Sequence, residues 1–79
     1  MSKELRDALD LHQRTMRAAA VASPAQMILG KRIGAIDAIL RYAECNPTIP
    51  DRALCQCWCD VIQAAIPAAL WDRVSKETA

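Results

Sequence analysis

Cysteine and histidine are the side chains of this sequence best suited to ligate a metal or to act as nucleophile and base. Three of the four cysteines fall in one run, Cys55-Gln56-Cys57-Trp58-Cys59, and the fourth is Cys45. Four thiolates could hold zinc tetrahedrally. The spacing works against it. On an intact helix Cys55 and Cys59 fall one turn apart on the same side, whereas Cys57 points nearly opposite to Cys59. Cys45 lies beyond a proline-rich break, and the two-residue knuckle spacing of zinc sites is missing. A cysteine-based metal or redox site is therefore kept as a second alternative, and the default reading is packing of small apolar thiols.

His12 is the sole histidine. It sits within the apolar side of the first predicted helix, and no activated nucleophile or carboxylate pair accompanies it, so a packing role is favoured over general base catalysis. Gly30-Lys31 matches only the last fragment of a phosphate loop: the glycine-rich turn before it and the Ser or Thr after it are missing. No catalytic residue, metal or other cofactor is expected, and the chain reads as a non-enzyme.

Arginine carries the remaining chemistry. From Leu11 to Ile36 there are four basic residues (Arg14, Arg17, Lys31 and Arg32) and no acidic one, while the rest of the chain holds six basic and nine acidic residues. The net charge is +1, which does not make the chain a polybasic nucleic-acid or membrane binder overall. The local cluster would suit a helix-turn-helix, but the recognition helix would be mostly isoleucine and leucine, so a small nucleic-acid-binding regulator is the first alternative. By helical angle Arg32 falls inside an apolar arc. Either its stem covers the core while its head reaches water, or it pairs with a carboxylate on a partner protein.

The elements that position these residues are helices. Hydrophobic residues make up 53% of the 79, with two glycines and no phenylalanine, and the alanine-rich stretches favour helix over strand. Ser2 caps a first helix whose packed side carries Leu5, Ala8, Leu9, His12, Met16 and Ala19. Ser23-Pro24-Ala25-Gln26 has the composition of a capping box and starts a second helix. In that helix Leu29, Ile33, Ile36, Leu40 and Ala43 recur at spacings of 4, 3, 4 and 3. A second row, Ile28, Ala35, Ile39 and Tyr42, widens the apolar arc. Gly30, Gly34 and Ala38 form a ridge of small residues on another side, where a neighbouring backbone could come close.

Asn46-Pro47-Thr48-Ile49-Pro50 breaks the chain, and Thr48 is expected to cap a third helix packed through Leu54, Trp58, Val61, Ile62 and Ala65. Pro67 forces a restart into a short helix held by Leu70, Trp71 and Val74. The predicted fold is all-α: one domain over residues 1–79, with main helices at about 2–22, 24–45 and 49–65 and a short C-terminal one at about 67–76.

Residues 1–6 are charged and do not read as a secretion signal. The longest uncharged stretch, Ala18 to Gly30, falls short of the roughly 20 apolar residues that span a bilayer. A cytoplasmic protein with reduced thiols and no membrane partner is expected. A chain this short has little core, so its apolar surplus points to a covering partner. The resulting expectation is a regulatory adaptor or inhibitor that occupies a surface of another protein, and that forms a homodimer through the second helix. An origin in a phage or mobile element is part of that expectation. Arg14, Arg17 and Arg32 are its expected charged contacts, beside Ile28, Ile39 and Tyr42.

Overall fold

The structure, a computed structural model, describes residues 1–22 and 26–76. Helix α1 spans Lys3–Ala22. Ser2 stands before it as expected: its hydroxyl oxygen accepts the Leu5 N–H at 3.2 Å, satisfying one of the backbone donors that a helix start leaves without an internal partner. Leu5, Leu9 and Met16 are buried, Ala8 and His12 are half-buried, and Ala19 is exposed.

Helix α2 spans Gln26–Cys45 and lies against α1. Ile36, Ile39 and Ala43 are buried, with Leu29, Ile33 and Leu40 half-buried around them. A polar tie reinforces the seam. The Gln13 amide donates to the Ile33 carbonyl at 3.2 Å and to the Asp37 carboxylate at 2.7 Å. The expected capping box at Ser23–Gln26 lies outside the described residues.

After α2, Asn46 closes the helix by donating both its backbone N–H and its side-chain amide to the Tyr42 carbonyl, each at 3.0 Å. Helix α3 spans Asp51–Cys57, and here the structure corrects the sequence reading. Pro50, not Thr48, is the residue at the helix entry: its backbone is extended (φ −70°, ψ 147°) and no side chain caps the turn. Its carbonyl already accepts the Ala53 and Leu54 N–H groups, so the fixed proline φ does the work assigned to a hydroxyl.

The same helix then widens. Trp58–Ile62 form a π-helical turn, and Gln63 ends it in the left-handed region at φ 57°. The helix therefore stops at Ile62 rather than near residue 65. Ile62 stands one turn (i, i+4) after Trp58, on the face that helical spacing already assigns to the core. Ile62 is buried while Val61 and Ala65 are exposed.

Pro67 opens α4, Ala68–Lys76, by accepting the Trp71 N–H at 3.0 Å. Leu70 and Val74 are buried; Trp71 is 46% exposed, contrary to the expected core position. The core gathers Leu5, Leu9, Ile36, Leu54, Trp58, Ile62 and Val74, and among the described residues there is no strand. The fold is the expected all-α bundle of three main helices and a short C-terminal one.

At one end a polar clasp joins α1, α3 and α4. Asp51 accepts the Ser2 backbone N–H at 2.9 Å and an Arg73 guanidinium N–H at 2.7 Å. Arg73 also donates to the Ser2 hydroxyl at 2.8 Å and pairs with Glu4 at 2.6 Å. Burial alone would raise the Asp51 pKa, but hydrogen bonds from Ser2 and Arg73 outweigh it and hold the carboxyl below its ordinary value. Glu4 is largely exposed, so its bridge adds little; the stabilising weight rests on Asp51.

Candidate functional site

The structure divides the expected contact residues. On α1, Arg14 is exposed and committed to Asp10 at 3.0 Å, an i,i+4 pair of small energetic worth. Arg17 is exposed one turn on. Neither lines the surface that α2 shares with the π turn. On α2, Ile39 is 5% exposed and belongs to the core, so the row Ile28, Ile39 and Tyr42 is not one continuous surface. Tyr42 is half exposed near the far end of the helix, where its carbonyl serves Asn46.

Ile28 and Arg32 do come together. They line a groove of about 250 Å³ with Lys31, Val61, Ile62 and Gln63. Ile28 is 61% and Val61 56% exposed. Lys31 projects from the rim, and Arg32 is half-buried, as its place in the apolar arc implied. Among the described residues neither cation has an acidic partner, and no carboxylate lines the groove. Sequence reasoning missed Val61 and Gln63. The sequence pattern counted Val61 with Ile62 on the packed side, and no residue type announces the π turn in which it lies.

A second cleft, of about 430 Å³, lies between α1 and the segment after the π turn, lined mostly by apolar atoms of Leu11, His12, Trp58, Ala65 and Pro67. The His12 and Trp58 rings stand 5.2 Å apart at 43°. Burial, and then the charge of Arg32, push the His12 pKa below its ordinary value, so the imidazole is neutral near pH 7. Among the described residues, His12 Nε2 and Trp58 Nε1 are buried without a hydrogen-bond partner, a cost that packing in the core must offset. Thr15 at the rim gives its hydroxyl proton to the Leu11 carbonyl at 2.9 Å and so is not oriented as a nucleophile toward His12.

The cysteines are dispersed. Cys55 is buried, Cys57 half-buried, and Cys45 and Cys59 exposed. Among the described residues no three His, Cys, Asp or Glu side chains gather in a way that could hold a metal ion. Likewise, no described helix is long and apolar enough to cross a membrane. Gly30 and Gly34 face open space, where an added Cβ would meet nothing within 4 Å among the described residues, so no described element packs on the ridge of small residues there. Comparison with protein families, with curated proteins and with solved structures yields no match.

Proposed function

We propose that this protein is a small non-catalytic regulator, an adaptor or inhibitor that acts by occupying a surface of another protein. The observation that carries this reading is the uncovered flank of α2. At its start, Met27 and Ile28 expose apolar surface that no other described residue covers. Beside Ile28 stand Lys31 and Arg32, without an acidic partner among the described residues. Exposed apolar side chains next to an arginine are the composition of a protein-binding hot spot. As part of the same reading, the protein works in the cytoplasm with reduced thiols. Two copies associate through the Gly30–Gly34–Ala38 ridge, which lies on a different side of α2 from Ile28 and Arg32 by helical angle.

Affinity purification of tagged protein from its native host tests this, with nuclease and reducing agent present throughout. A stoichiometric host protein retained by the wild type and lost with Arg32→Glu, at unchanged helicity, is the expected result. Recovery of nucleic acid that nuclease strips away, with no retained protein, would replace this reading by a nucleic-acid regulator. Light scattering on the purified chain reads the proposed homodimer: a monomer mass at micromolar concentration removes it.

A further inference from the structure

We infer that the groove between α2 and the π turn receives an acidic amphipathic helix of the partner, and this rests on the adaptor reading above. Three observations converge on it. The groove floor is apolar: Ile28 on one wall and Val61 on the other are both more than half exposed, and Ile62 closes the base. Its charge has one sign, with Lys31 and Arg32 on the α2 side and no carboxylate among its lining residues. Its far wall is irregular backbone, since Val61 belongs to the π turn and Gln63 is in the left-handed region.

Val61 belongs to the π turn and stands in the open on the groove wall opposite Ile28. Arg32 is fixed between two environments. Its charge reaches His12 on the core side, while the groove holds no counter-charge on the other. A carboxylate brought by a partner would neutralise it where water is excluded, and there an arginine–carboxylate pair is strongest. An apolar floor with flanking cations is matched by a helix that carries leucines at i, i+3, i+4 and i+7 with glutamates beside them. Phosphate would engage the cations and leave Ile28 and Val61 uncovered, so the apolar floor favours a peptide over a nucleic acid.

The test uses the full-length chain and a fluorescent synthetic helix of that leucine–glutamate pattern, with a twin in which lysine replaces every glutamate. The expected result is saturable binding of the glutamate helix, weakening with salt, and at least about tenfold weaker binding of the lysine twin, because its lysines would meet Lys31 and Arg32 with like charge. The charge-reversed double variant Lys31→Glu, Arg32→Glu is expected to invert that preference. Because Arg32 is half-buried, the exposed single variants Lys31→Glu and Val61→Glu serve as second probes, and each should weaken the glutamate helix at unchanged helicity. Equal binding of the two helices, or binding of the glutamate helix unaffected by all of these variants, overturns the proposal. So does a single-stranded DNA oligonucleotide that binds more tightly than the glutamate helix. A host protein retained equally by the wild type and the double variant removes this groove but leaves the adaptor reading standing. A host purification that retains no protein sinks both.

Discussion

The two ends of this bundle solve the same electrostatic problem in opposite ways. At the end where α1 and α3 begin, every charge drawn toward the core has a partner. Asp51 is held by Ser2 and Arg73, and Arg73 spans to Glu4, so three helices share one polar clasp. At the other end, around the groove of α2 and the π turn, Lys31 and Arg32 have no anion and Ile28 and Val61 no cover among the described residues. The first arrangement stabilises the fold; the second leaves free energy to be gained on binding. A chain of this length has little stability to spare, about 4–12 kcal/mol at typical values per residue. It concentrates its stabilising polar contacts at one end and keeps its exposed chemistry at the other.

Trp58 joins the two regions, and its loss should have the largest effect. Truncation of a fully buried tryptophan costs about 3–5 kcal/mol, a large part of the total. Trp58→Ala is expected to leave a substantially unfolded chain by circular dichroism at room temperature. A cooperative wild-type-like transition would mean that the two ends fold without their shared core.

Next in size is the clasp. Asp51→Ala removes hydrogen bonds to a charged group and takes from Arg73 its most buried partner, for an expected loss of about 2 kcal/mol in urea unfolding. The same group sets an acid limit. Its folded pKa lies below the ordinary value of 3.8, so its contribution is complete above that pH and is lost as pH falls through the folded value. Wild type should therefore lose stability below pH 3.8 more steeply than Asp51→Ala does.

His12 gives a smaller effect at higher pH. Its folded pKa lies below the ordinary 6.5, so on acidification the unfolded chain takes up the proton first. Stability is expected to decline as pH falls below 6.5, and His12→Gln should flatten that slope. A urea midpoint identical at pH 7.5 and 5.5 would show that the His12 ring is not held neutral between Trp58 and Arg32.

The smallest stability effects should come from the open end. Ile28→Ser and Val61→Thr remove exposed apolar groups and are expected to shift unfolding by no more than about 0.5 kcal/mol, the range of ordinary surface changes. Their effect should appear in partner binding instead. A loss above 2 kcal/mol from either would place these side chains with the core and erase the contrast between the two ends.

Most of the helical scaffold was legible because its determinants are local. Ser2 capping α1, the break at Asn46–Pro50 and the restart at Pro67 follow from single residues whose backbone preferences do not depend on distant parts of the chain. The periodic rows in α1 and α2 correctly placed Leu5, Leu9, Met16, Ile36 and Ala43 in the core. The candidate site was legible in part. Arg32 within an apolar arc and Ile28 one turn before it could be read from helical angle, and both line the groove. The same method offered Ile39 as a contact, although periodicity cannot say which half of a wide apolar arc a neighbour will cover.

The sequence by itself determined where the helices run and which side of each one packs, because propensity, capping and 3.6-residue spacing act between near neighbours. Tertiary structure decided the rest. It gave Asp51 a structural role by bringing it to Ser2 and Arg73, far away along the chain. It left Trp71 in the open by turning Leu70 and Val74 inward, and of Val61 and Ile62, both expected to pack, it buried Ile62 alone. Those outcomes depend on how whole helices fit around Trp58, and a packing fit among distant residues leaves no signature in any one local stretch.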